Sequence, residues 1–314
     1  MSAGRRFLGI DLGGTKILGA VHGDSTEPIA LEQVATRRDE GGPAVLARAL
    51  DLAHRLAQRA GPLHGAGIGF AGLVDAERGV VDSSIIVPGF DGVPLAERFA
   101  AALGVPCTAD NDATAAGLGE LLALGRPDRL NMVLLTLGTG IGGALVLEGR
   151  LYRGGASTAG EFGNTTIERH GPECPSGNRG SLNSLASSVA IGRIAAERAL
   201  REGGSALAQF AAPITAAQVD LAARQGDALA RAILEEAGRA LGAGIANFVN
   251  IFNPDRVALM GGLTAASGYL EAAKGEARRR AFARSFDHAR IELAVLGGRT
   301  GAFGAAALAR ERAS

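Results

Sequence analysis

A chain of 314 residues with 47% hydrophobic and 20% charged side chains is long enough for two globular cores. Its 32 basic and 32 acidic residues cancel, so no net field draws it to nucleic acid or an anionic membrane, and a small-molecule ligand is expected instead. Two cysteines, Cys107 and Cys174, make no disulfide framework and suit a reducing cytoplasm. The apolar run after Arg5 and Arg6 is cut short by Asp11, which excludes an export signal, and nothing reaches the ~18 apolar residues of a membrane span.

Glycine-punctuated β-favouring runs open the chain: "FLGID", "ILGAV" and "IALEQVA" predict a small antiparallel meander. Residues 43 to 60 place Leu46, Ala49, Leu50, Ala53, Leu56 and Ala57 on one helical face, and Gly61 and Pro62 stop that helix. "GAGIGF" reads as a strand. "VPCTA" is a short strand running into "DNDATAAGLGELLALG", a helix whose first turn carries acidic and Asn side chains. Residues 132 to 147, "MVLLTLGTGIGGALVL", then repeat the strand, glycine turn, strand pattern of residues 7 to 21, as a duplicated chain would. A long helix over 227 to 252, the strand "RVALM", a "GG" turn, more helix, the strand "IELAVL" and an Ala-rich helix complete it. The expectation is mixed α/β, twice over, with a boundary near residues 112 to 130 inside packed structure.

The turn "DLGGTK" has the parts of a phosphate site. Gly13 and Gly14 let backbone N–H groups approach, Thr15 adds a hydroxyl, Lys16 adds a charge, and Asp11 can hold a hydrated Mg²⁺. Alone it is a weak signal, since such turns are usually only turns. A second turn at Gly138, Thr139 and Gly140 and a third at Gly261 and Gly262 strengthen it. Neither a P-loop nor a helix-opening GxGxxG is present.

Together "GIDLGGTKILGAV", "ADNDATAAGLGE", "LTLGTGIGGALVLEGRLYRGGASTAGEFGN" and "LGGRTGAFGAAALA" resemble the ROK family of sugar kinases, sugar-responsive repressors and related proteins, over nearly the whole chain. The resemblance implies two ribonuclease-H-like domains of actin and hexokinase type flanking a cleft, ATP and Mg²⁺ as cofactors, a hexose substrate and a homodimer. The expected domains are residues 1–115, joined by the last helix at about 301–314, and 116–300. No repressor-type helix-turn-helix is expected, because the first strand begins near residue 7.

From local sequence, Asp112 is equally a general base or a helix cap, and Asp110 could equally be such a cap. The resemblance makes Asn111 a sugar ligand and Asp112 the base. It adds Glu161, Asn164 and Asn183 and the Ala71 and Gly72 turn as sugar contacts, while Ile86 falls where the family often has an Asn. The segment "GNTTIERHGPECPSGNRGSLNS" keeps the spacing of the family's metal loop, yet of four zinc ligands only Cys174 remains. Asn164, Ser176 and Ser181 replace the others, and Asn183 replaces a Glu. Serine hydroxyls and an amide bind zinc poorly, and His170 and Glu173 would make only an irregular set with Cys174, so no structural zinc is expected. The sequence reading is an ATP-dependent hexose kinase. A non-catalytic sugar sensor and a polyphosphate-dependent glucokinase are the alternatives.

Overall fold

The computed structural model describes residues 4–313. The first half runs β1 (Phe7–Leu12), β2 (Lys16–His22), β3 (Ala30–Ala35), α1 (Gly42–Ala60), β4 (Gly65–Phe70), β5 (Leu73–Asp75), β6 (Val80–Ser83), α2 (Leu95–Leu103), β7 (Cys107–Asn111) and α3 (Asp112–Ala123). Then come β8 (Met132–Leu137), β9 (Ile141–Leu147), β10 (Arg150–Tyr152), α4 (Leu182–Ala186), α5 (Ser188–Glu202), α6 (Ala216–Arg224) and α7 (Ala228–Phe252). The last elements are β11 (Arg256–Met260), α8 (Tyr269–Arg280), α9 (Ala283–His288), β12 (Arg290–Leu293) and α10 (Thr300–Arg312).

The duplication is visible in the sheets. One has the order β3-β2-β1-β4-β7 and the other β10-β9-β8-β11-β12. In the first, β1 and β3 lie antiparallel to β2, whereas β4 is parallel to β1 and β7. In the second, β9 and β10 are antiparallel, and β11 is parallel to β8 and β12. A hairpin needs only a tight turn, but a parallel neighbour needs a crossover, so each sheet begins with glycine turns and continues through helices.

Contacts divide the chain into two compact units. One takes the residues up to Arg129 with Ala144–Gly160 and those from Ala294 onward; the other takes Leu130–Gly143 and Glu161–Leu293. The boundary expected after residue 115 therefore falls inside α3, all of which lies in the first unit. The reason is α10, which packs on α3, β1 and β4. Gly9 and Gly67 let it settle directly on strand backbone: a Cβ at either would stand 1.8 Å from the carbonyl oxygen of Ala302 or Ala305. The alanines and glycines of the last helix are thus a packing surface with almost no side-chain depth.

The first core joins the sheet to α1 and α2 through residues such as Ile10, Leu52, Leu56, Ile68 and Phe99. The buried face of α1 is Val45, Ala49, Leu52, Ala53, Leu56 and Ala60. This corrects the expected face, in which Leu46, Leu50 and Ala57 are only partly buried. In the second unit α7 and α8 pack along their lengths, and Tyr269, with no exposed surface, donates its hydroxyl to the Ala186 carbonyl at 2.8 Å. Among the described residues no helix is long and apolar enough to cross a membrane.

Candidate functional site

The β1–β2 turn is closed by Gly13 N–H donating to the Lys16 carbonyl at 3.1 Å. Thr36, buried just after β3, braces it from outside. Its hydroxyl donates to the Gly13 carbonyl at 2.6 Å and its N–H to the Thr15 carbonyl at 3.0 Å. Thr15 and Lys16 are exposed, as groups that meet a ligand must be. Thr36 was invisible to sequence reasoning, since its role depends on where β3 ends.

Strand register explains how Asp11 and Asp112 come together. Asp11 on β1 is opposite Gly69 on β4, and Gly69 is opposite Asp110 on β7. Gly69 has no side chain, and Asp112 packs over it, its Cα 3.3 Å from where a Cβ would stand. On its other side Asp11 lies against the first turn of α10, with Oδ2 2.5 Å from the place of a Cβ on Gly301. Burial, reinforced by the negative charge of Asp112, pushes the Asp11 carboxyl up to about 7, and Lys16 pulls it back. Hard oxygen donors of this kind suit a hydrated Mg²⁺, which takes one or two carboxylates and fills its octahedron with water and phosphate. Among the described residues no group of three or more His, Cys, Asp or Glu side chains could cage a metal, which leaves that smaller donor set.

At the β7–α3 junction Asn111, rather than either aspartate, is the helix N-cap. Its amide oxygen accepts from Thr114 N–H at 3.0 Å and its amide nitrogen donates to the Gly72 carbonyl at 3.0 Å. The side chain expected at a sugar is thus tied to the neighbouring Ala71 and Gly72 turn. Ser84 holds that turn as well, donating to the Ala71 carbonyl at 2.6 Å. Ile86 is partly buried against the first core. Asp110, 4% exposed, receives Arg153 at 2.8 and 3.2 Å. No local signal marks Arg153, which is 43 residues away. Asp112 opens α3, where the helix dipole favours a carboxylate.

In the second unit the turn at Gly138, Thr139 and Gly140 is closed by Gly138 N–H donating to the Gly140 carbonyl at 3.0 Å, while Ser188 N–H at the start of α5 donates to the Gly138 carbonyl at 2.9 Å. Gly261 comes against the same place. At φ 108° it is in a region that favours glycine, and a Cβ there would stand 2.3 Å from the Leu137 carbonyl oxygen. The second and third glycine turns are therefore neighbours, which their separation in sequence does not show.

Glu161 is exposed, yet enough protein surrounds its carboxyl for burial to push it up, with a hydrogen bond from Asn164 pulling it back. That bond runs from the Asn164 amide nitrogen to Oε2 at 2.8 Å. The next residue, Phe162, anchors the segment, its ring 4.5 Å from that of Phe248 and 5.9 Å from that of Phe252 on α7. Asn183 turns to the backbone, its amide oxygen accepting from Ile141 N–H at 2.6 Å. The structure thus brings Glu161 and Asn164 together and fixes Asn183 to the end of the glycine turn.

The Cys174 loop is held by its own hydrogen bonds. Ser176 donates to the Cys174 sulfur at 3.3 Å, Ser181 caps α4, and Arg179 pairs with Glu173. Burial acts to raise the Cys174 thiol, but hydrogen bonds from Ser176 and Ser181 outweigh it and bring the thiol below its ordinary value. We expect elemental analysis of the purified protein to find far less than one zinc per chain, and a chelator to leave its melting temperature unmoved. A structural zinc would contribute folding free energy directly, so chelation would then unfold the protein.

Two sheets of ribonuclease-H-like order, each with a glycine turn joining its first two strands, define a hexokinase-type member of the actin-like ATPase class. Residues 7–312 match the ROK family, and the chain belongs to it. A glucokinase of Halalkalibacterium halodurans is 31% identical over 98% of this chain and 96% of its own. An N-acetylmannosamine kinase of Yersinia pseudotuberculosis is also 31% identical, over 84% of this chain and 85% of its own. The crystal structure of a ROK glucokinase from Streptomyces griseus in complex with glucose and AMPPNP superposes with a TM-score of 0.86, at 30% identity, covering 98% of this chain and 99% of that one. These relatives support a sugar kinase.

Proposed function

We propose that the protein is a cytoplasmic ATP-dependent kinase that phosphorylates the primary hydroxyl of glucose or a related hexose. The observation that carries this reading is the β7–α3 junction. There Asn111 is fixed at both ends of its amide, Asp110 is held by Arg153, and Asp112 opens the helix beside them. In this reading the Asp112 carboxylate accepts the hydroxyl proton as that oxygen bonds to the γ-phosphorus. The bond from phosphorus to the β,γ-bridging oxygen breaks, and ADP leaves. Glu161 and Asn164 bind sugar hydroxyls, the carboxylate as acceptor and the amide as either partner. Gly13 to Lys16 and Gly138 to Gly140 offer N–H groups to phosphates, with Gly261 and Gly262 toward the nucleoside. Mg²⁺, held by Asp11 through water, would neutralise charge on the phosphate oxygens.

The relatives named above include kinases for both glucose and N-acetylmannosamine, so the acceptor must be measured. The test is ADP release from ATP with a panel of hexoses and N-acetylhexosamines, with sugar-phosphate formation measured directly when inorganic polyphosphate replaces ATP as donor. Turnover with ATP and a hexose is expected. Sugar binding without turnover would instead establish the sensor, and a preference for polyphosphate would establish the other donor. A side chain in the second glycine turn should obstruct a phosphate, so Gly140→Val is expected to weaken ATP binding by about tenfold or more, with sugar affinity changed much less. Titration calorimetry with each ligand separately checks it.

A further inference from the structure

We propose that Asn178, in the loop whose metal ligands are replaced, positions the acceptor carboxylate Glu161 by holding Asn164, so that a hydrogen-bonded loop performs the orienting work here. The inference rests on the reading of Glu161 as a sugar ligand.

Asn178 is bonded through its carbonyl and both atoms of its side-chain amide. Its carbonyl accepts from Cys174 N–H at 2.7 Å. Its amide oxygen accepts from the Thr166 hydroxyl at 3.2 Å and from Arg179 N–H at 2.7 Å. Its amide nitrogen donates to the Asn164 carbonyl at 2.6 Å. Asn164 in turn donates its side-chain amide to Glu161, so two bonds connect Asn178 to the carboxylate. Other hydrogen bonds fix the rest of the loop. Gly180 N–H donates to the Pro172 carbonyl at 2.7 Å, Ile167 N–H donates to the Gly180 carbonyl at 2.8 Å, and Arg179 reaches the Gly171 carbonyl at 3.2 Å and pairs with Glu173. An amide is suited to the central position, because it both accepts from Thr166 and donates to Asn164. A carboxylate would keep the first bond and lose the second. Fixing the Asn164 backbone limits the rotamers from which its side chain meets Glu161, and a carboxylate already oriented binds sugar hydroxyls with less ordering cost.

The distinguishing experiment is steady-state kinetics and thermal melting on the full chain with three variants. Asn178→Ala and Asn178→Asp both remove the donor to Asn164, whereas Arg179→Ala weakens the same loop elsewhere. The first two are expected to raise KM for the preferred hexose about five- to tenfold, with kcat and KM for ATP within about twofold. Arg179→Ala is expected to lower the melting temperature and leave KM for the hexose within about twofold. An unchanged hexose KM in Asn178→Asp overturns the inference. So does an equal rise in Arg179→Ala, which would make the effect one of loop integrity. Absence of hexose turnover in the wild type would be a different failure, that of the kinase reading itself.

Discussion

Asp112→Asn is expected to lower kcat by at least about a hundredfold while sugar affinity stays within a few-fold. The amide keeps the shape of the carboxylate and its place at the start of α3, where Oδ1 accepts from Ala113 N–H at 2.8 Å. It cannot accept the hydroxyl proton, so the loss falls on the chemical step. Rapid-quench measurement of a single turnover, with sugar affinity from calorimetry, separates the two quantities. Near-normal turnover would remove Asp112 from the role of base and leave it as part of the helix start.

The second large effect has opposite signs for activity and stability. Asp11 has its carboxyl raised from 3.8 to about 7 in the fold. Between those values the folded protein holds a proton that the unfolded chain has released, so stability falls as pH rises through that window. The contribution is intact below about pH 4 and lost above about pH 7. Asparagine does not ionise, so Asp11→Asn escapes the loss. Without added Mg²⁺ or ATP, the variant is expected to be more stable than the wild type at pH 8 by on the order of 2 to 4 kcal/mol, with a smaller gain at pH 5. Its kinase activity is expected to fall at least about a hundredfold, because the charge that opposes folding is the one proposed to hold the hydrated cation. Urea denaturation at the two pH values checks the first part. A variant less stable at pH 8 than at pH 5, relative to wild type, would show that Asp11 is not a strained carboxylate.

What the sequence disclosed depended on whether a signal was periodic or relational. Strand, turn and strand repeat as apolar runs with glycines between them, and both sheets follow that pattern. The start of α3 was likewise visible, since acidic and Asn side chains collect where a helix opens. The rotation of α1 was not, because alanines at 49, 53, 57 and 60 give little preference between adjacent faces, and the sheet selected Val45 and Leu52 over Leu46 and Leu50. Local sequence left Asp110 and Asp112 equally suited to the cap, and the fold gave it to Asn111. Arg153, Thr36 and Phe162 carry no pattern. Each matters through partners distant in the chain: Asp110, the carbonyls of Gly13 and Thr15, and the rings of α7 respectively. Asn183 shows a different limit. Spacing located the position, but the direction of its amide was set by the Ile141 N–H that it meets.

The dependence of β1 and β4 on α10 also has a temporal side. A ribosome finishes β1, β4 and α3 by residue 123 and does not reach α10 until residue 300. At cellular elongation rates of ~5 to 20 residues per second, that interval is on the order of 10 to 40 s. Throughout it the part of the first sheet around Gly9 and Gly67 lacks the helix that will cover it, although α3 already lies over Gly69. The earliest unit to begin folding is therefore among the last to be completed.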